Sequence, residues 1–161
     1  MKLLTWKGLE AAASFSKLVA LVCDPAKKAA SDRMLRLLPP TLEVLRLRRV
    51  ACAISNSAII FVANRCPRLR EFTLSHSRLL DGTFTCMACR SLLLLCSDIR
   101  SIELENSCGV TGAALSFSGL PVPALEHVSF SGCKNLAVEN LEIFIAAMHN
   151  LNSLDVSGCK G

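Results

Sequence analysis

Cys86 and Cys89 stand three residues apart in "CMAC", with Cys96 and His76 near them in the chain. Zinc takes thiolates at that spacing, but a structural site needs four ligands. No second C-x-x-C exists among the nine cysteines. Phe84, Met87, Ala88 and Leu92 recur at helical spacing around the pair, so both cysteines are expected on one helix. A redox pair would want a thioredoxin-like strand–helix–strand setting, and none surrounds it. His76, His127 and His149 are scattered, and no Ser/His/Asp or Cys/His set converges with them. No Gly-rich phosphate loop is present. The chain is therefore read as non-enzymatic, with no catalytic residues, no metal and no cofactor. The sharpest basic run is "RLRR", Arg46–Arg49. Nucleic acid would want a continuous basic stripe interleaved with stacking aromatics, and the run stops where it starts. The remaining class is a partner-binding surface.

Composition agrees with that class. The 161 residues are 52% hydrophobic and only 5% aromatic, with no Tyr, so Leu, Ile, Val, Ala and Cys must fill the core. The charged fraction of 19% is low for a small domain, which implies surface shared with another molecule. Residues 1–80 carry 14 Lys and Arg against 5 Asp and Glu, a balance of +9; residues 81–161 carry 4 against 8, a balance of −4. Such an end-to-end field steers partners. The longest apolar runs, "AIIFVA" (58–63) and "LLLLC" (92–96), are far short of the roughly 20 residues a membrane helix needs. The N-terminus turns polar at once and lacks a signal-peptide core. Residues 1–23 carry Lys and Ser with one acid, faintly like a mitochondrial presequence, but no Arg. An odd number of cysteines without a signal peptide reads as reduced thiols in an intracellular compartment, the cytoplasm first, with most of them buried as small apolar groups.

The elements that position these residues follow from a repeat. "SGCK" occurs at 131–134 and at 157–160, 26 residues apart, each after a short alternating run: "LEHVSF" from Leu125 and "LNSLDV" from Leu151. The same L-x-x-L-x-L frame fits "IRSIEL" from Ile99, "LREFTL" from Leu69 and "LEVLRL" from Leu42, with a weaker sixth, "LVALVC", from Leu18. The last four residues of each frame alternate and predict a short strand. Between frames the spacing is helical: Ile59, Val62, Ala63 and Cys66 behind a Ser55 or Ser57 cap, then Leu141, Phe144, Ile145 and Met148. In 112–124, Ser, Gly and two Pro shorten the helix to about one turn. Each unit is one strand, one turn and one helix, none of which buries its apolar side alone, so the units are expected to stack. In the repeated turn, Gly bends the chain, Cys points inward and Lys faces water.

These frames resemble the cysteine-containing leucine-rich repeats of F-box proteins, whose unit reads roughly L-x-x-L-x-L-x-x-C, then a helix, then C-P-x-L. "CPRL" (66–69) matches that hand-over and "CSDI" (96–99) matches it in part. The resemblance covers about residues 18–161, with 1–17 as an N-terminal helical half-repeat, in one domain of 1–161. It departs at Ser107, where Cys108 comes one place late, and at Val50, with Cys52 two later. "LLPPTLEVLRL" (37–47) opens like an F-box, but the repeat frame follows at once, and Pro39 and Pro40 end a helix before a strand.

The resemblance implies an α/β leucine-rich repeat solenoid of five to six repeats, parallel strands on the concave face and helices on the convex face. Outward strand positions then align in rows: Arg46, Thr73, Glu103, Ser129, Asp155; beside it Arg48, Ser75, Glu105, Ser131, Ser157; and flanking them Val44, Glu71, Ser101, His127, Ser153. Arg46, Arg48, Glu71, Thr73, Ser75, Glu103, Glu105, His127, Ser129, Ser131, Asp155 and Ser157 are the candidate protein-binding residues. The implied function is an interaction scaffold or a structural subunit of a larger assembly, axonemal and mitochondrial complexes being settings where such repeats occur. The alternative is the substrate-recognition module of a cullin-type ubiquitin ligase. A polar cap is also expected over a terminal unit, so the last one is expected either to be covered by a further chain or to belong to a longer array.

Overall fold

The computed structural model describes residues 18–23, 32–49, 54–76, 84–107, 109–115, 124–136 and 141–160. Six parallel strands form one sheet in sequential order: β1 Ala20–Cys23, β2 Val44–Arg48, β3 Glu71–Ser75, β4 Ser101–Glu103, β5 His127–Ser129 and β6 Ser153–Asp155. Helical segments alternate with them: α1 Asp32–Leu35, α2 Asn56–Arg65, α3 Cys86–Leu95, a 3-10 turn at Gly112–Leu115, and α4 Leu141–Ala146. The chain is thus α/β. The expected N-terminal half-repeat, together with Val50, Cys52 and Cys108, lies outside the described residues.

The frame sets the register. Ala20 pairs with Val44, Val44 with Glu71, Glu71 with Ser101, Ser101 with His127, and His127 with Ser153. These are the third residues of the six frames, the weak one at Leu18 included. A tight turn leads into four of the strands in the same way: Leu42, Leu69, Ile99 and Leu151 each donate an N–H to the carbonyl three residues back, at Pro39, Cys66, Cys96 and Met148. Alternation sends Leu45 and Leu47, Phe72 and Leu74, Ile102 and Leu104, Val128 and Phe130 to one side, where each is at most 2% exposed. There they join Ala58, Ile59, Val62, Ala63, Ala88, Leu92 and Phe144 in a single core. Phe130 and Phe144 meet edge to face at 5.8 Å.

Helix starts are tied across units. Ser55 caps α2 and Thr85 caps α3, each accepting from an N–H in the first turn. The Ser55 N–H donates to Asp32 Oδ1 (2.8 Å), and the Thr85 N–H donates to Asn56 Oδ1 (2.9 Å). The first residue of one helix therefore holds the cap of the next.

Two expected core positions lie elsewhere. Met87 is 60% and Ile145 is 40% exposed. In α3 the buried side is Ala88, Cys89, Leu92 and Leu93, continued by Cys96, and at 100° per residue Met87 falls opposite it with Arg90 and Leu94. Short α4 touches the 3-10 turn on one side only among the described elements, which leaves Ile145 on an uncovered flank.

The turns after β2, β3, β4, β5 and β6 share one conformation. Arg49, His76, Asn106, Gly132 and Gly158 occupy the same frame position, and all have φ between 49° and 71°. The first four donate their N–H to the next unit, at Ser75, Glu105, Ser131 and Ser157 carbonyls (2.7–2.9 Å). Gly132 is needed twice over, because a Cβ there would also meet Asn106 Oδ1 at 2.2 Å. Lys134 and Lys160 are exposed, as the turn reading expects.

The cysteines after these turns act as small hydrogen-bonding plugs. Cys133 Sγ donates to Leu104 O (2.7 Å) and Cys159 Sγ to Phe130 O (3.2 Å); Ser107 fills the equivalent slot and donates to Leu74 O (3.2 Å). Cys133 is fully buried, whereas Cys159 is half-buried because β6 has no strand beyond it among the described residues. At the helix ends, Cys66 Sγ donates to Pro39 O (3.4 Å) and Cys96 Sγ to Cys66 O (3.6 Å). Burial pushes the Cys66 thiol up to about 11 and the Cys96 thiol up to about 12, so both stay protonated at neutral pH. No disulfide joins the described cysteines Cys66, Cys89, Cys96, Cys133 and Cys159.

Candidate functional site

The side of the sheet turned away from the core is polar. Strand period places every outward residue of the frame there, and the parallel register aligns them. Arg46, Thr73, Glu103, Ser129 and Asp155 form one row by direct pairing; Val44, Glu71, Ser101, His127 and Ser153 form the row beside it. In the third row Arg48 pairs with Ser75. Glu105, Ser131 and Ser157 continue it beyond the short strands, their carbonyls receiving the turn N–H groups of the preceding units.

The rows are laced by side-chain bonds between neighbouring strands. Arg46 forms an ion pair with Glu71, both side chains being little more than one-third exposed. Thr73 Oγ1 donates to Glu103 Oε2 (3.0 Å), and Ser129 Oγ to Glu105 Oε1 (3.3 Å). The Ser131 and Ser157 hydroxyls share a hydrogen bond at 2.9 Å. The Ser157 N–H, and after it the Ser157 hydroxyl, holds the Asp155 carboxyl below the usual carboxylate range. Asp155 therefore keeps its negative charge into mild acid.

The arrangement is a charge-graded surface. Basic groups gather on β2, acids follow at Glu103, Glu105 and Asp155, and hydroxyls lie between them. His127 is exposed at the head of β5. Thr73 and Ser75 are different: at 2% and 3% exposed they lie at the floor of the face, below the longer side chains of the adjoining strands. They shape and tether that floor and do not present themselves to a partner. The exposed part of the set is narrower than the twelve candidate residues drawn from the rows.

A fourth row went unread in the sequence. The position after each leading frame residue carries Glu43, Arg70, Arg100, Glu126 and Asn152, linked by successive backbone bonds. Glu43 pairs with Arg70 (3.5 Å) and Arg100 with Glu126 (2.8 Å). The order acid, base, base, acid at one frame position was the available signal. This row neutralises itself and leaves the charge gradient to the rows around Arg48 and Glu103.

His76, His127 and His149 are all exposed; His76 lies in one unit, and His127 and His149 stand at opposite ends of another. Cys86 and Cys89 both lie in α3, with Cys89 buried in the core. Among the described residues, no three His, Cys, Asp or Glu side chains gather closely enough to hold a metal ion. No helix among them is long and apolar enough to cross a membrane. No protein-family model matches the chain, and no curated protein matches it.

Proposed function

We propose that the chain is a non-catalytic protein-interaction scaffold, a leucine-rich repeat solenoid that binds a protein partner through the polar face of its sheet. The observation that carries this reading is the alignment of Arg46, Glu103, Ser129 and Asp155 in register on that face. Side chains held on paired strands are pre-ordered, so a partner spends little binding energy on fixing them. The repeating turn bonds and the left-handed residue after each of β2 to β6 support the solenoid part of the proposal.

The test is affinity purification of the tagged chain from native cells at physiological salt, with mass spectrometry of the recovered proteins. Two charge-reversal pairs, R46E/R48E and E103K/E105K, are run beside the wild type. Recovery of the same partners should fall in both, with melting temperature little changed, since exposed ion pairs contribute about 0–1 kcal/mol. Undiminished recovery in both pairs rejects the polar face. Recovery of a cullin and its adaptor would assign the ligase-receptor role; recovery of a stable assembly's subunits would assign the structural one.

A further inference from the structure

We propose that Arg48, Arg49 and His76 form a docking corner for a short acidic segment of a protein partner. The inference rests on the reading of the polar face as a binding face and names the partner chemistry at one end of it.

The left-handed turn position is the starting point. Glycine fills it at 132 and 158, and asparagine, the next most tolerant residue, fills it at 106. Arg49 and His76 hold the same conformation at φ 51° and 52°, which costs any residue with a Cβ energy that glycine is spared, most clearly at Arg49. Neither is needed to make the turn. The bonds that the position supplies come from its backbone, Arg49 N–H to Ser75 O and His76 N–H to Glu105 O, and glycine makes the same bonds at 132. What Arg and His add is what they present. Both are exposed, as is Arg48, and none of the three has an ion-pair partner among the described residues. Adjacent strands stand about 4.8 Å apart, so Arg49 and His76 sit side by side at the carboxyl end of β2 and β3, with Arg48 one residue before. Two guanidinium groups and an imidazole carried on neighbouring strand ends offer a cluster of hydrogen-bond donors to the carboxylates of an extended chain.

The surroundings select a peptide over a nucleic acid. The cationic corner is small, and Glu103 and Glu105 follow within two strands. A long polyanion laid along the face would meet those acids, and no aromatic residue stands in the outward rows to stack bases. A segment acidic over the corner and neutral or basic over β4–β6 meets complementary charge throughout.

The probe is a fluorescein-labelled, acetylated and amidated hexaglutamate, read by anisotropy at low salt, with hexaglutamine and a six-nucleotide oligothymidylate as comparisons. The variants are R49G/H76G and the turn-compatible R49N/H76N. Expected are binding of hexaglutamate but not hexaglutamine, a loss of roughly tenfold in both double variants, and melting temperatures equal to or above wild type, because the turn is relaxed. A purely structural role for these side chains would move stability down and leave the affinity in place. No hexaglutamate binding by the wild type, unchanged affinity in the variants, or equal binding of the oligonucleotide with the same sensitivity would each overturn the proposal. If any of these occurs while E103K/E105K still lowers partner recovery, the corner fails and the binding face stands; if partner recovery is also unchanged there and in R46E/R48E, both fail.

Discussion

Gly132 and Gly158 occupy equivalent turns, yet replacing each by alanine should have unequal effects. Both have φ near 70°, so an added Cβ meets the intrinsic penalty of the left-handed region, about 1–2 kcal/mol. Alanine also narrows the unfolded chain, which returns roughly 0.4–1 kcal/mol. At Gly158 the new methyl has room, its nearest neighbour being the Gly132 Cα at 3.5 Å. The net loss there is about 1 kcal/mol. At Gly132 the methyl would sit 2.2 Å from Asn106 Oδ1 and 2.8 Å from its Cγ. Asn106 must swing aside into a poorer rotamer, adding about 0.5–1.5 kcal/mol. Gly132→Ala should therefore cost about 2 kcal/mol, and Asn106→Gly should remove the excess. Urea unfolding of G132A, G158A, N106G and G132A/N106G measures the four terms as a double-mutant cycle. The coupling should be about 1 kcal/mol, and in a domain of this size each kcal/mol moves the melting temperature by about 2–4 °C. Equal losses for G132A and G158A with no coupling to Asn106 would refute the close packing of successive turns.

Cys133→Asp should destabilise by about 2–4 kcal/mol, since it buries a carboxylate in a slot sized for a thiol; Cys133→Ser should cost clearly less, because Ser107 fills the same slot one unit earlier and bonds the same kind of carbonyl. An unshifted melting point for the Asp variant would mean that the slot is open to water. Cys66 and Cys96 should resist iodoacetamide in the native chain at pH 8 while Cys159 reacts, as read by peptide mass spectrometry. Their raised pKa values also carry a sign. Once unfolded, these thiols ionise near 9.0, whereas the folded ones keep their protons to about 11 and 12, so stability should fall as pH rises above 9, by at most about 1.4 kcal/mol per pH unit for each. C66A/C96A should flatten that slope, and an unchanged slope would show that these thiols ionise in the folded chain.

The strand register was legible because a period of two and a leading apolar residue leave little freedom: every paired third residue from Ala20 to Ser153 follows from the frames. Helix facing was less so. Met87 and Ile145 are apolar at plausible spacing, and their exposure depends on which neighbouring helix covers them. Which outward residues a partner can reach was not legible at Thr73 and Ser75. Their burial is a property of the folded sheet that the alternation along β3 alone does not reveal. The left-handed turns were readable where glycine marks them, at 132 and 158. Arg49 carries no such mark, because its propensity argues against the conformation it adopts, and His76 carries only a weak one, histidine being tolerated there but far from diagnostic.

The wiring between units has a mechanical consequence. Close backbone approaches among the described elements join each strand to the next strand and each helical segment to the next, β2 to β3, α2 to α3, α3 to the 3-10 turn. Energy therefore passes along the stack link by link, with no element bracing two distant ones. A lesion at one junction, such as loss of the Asn56-to-Thr85 bond, would not loosen the whole body evenly. It would weaken the link between the α2 and α3 units first, while the β2–β3 ladder and the shared core still join them. On the polar face, that is the junction between basic β2 and the strands that carry the acids, so strain there would reach the charge gradient before it reached the rest of the sheet.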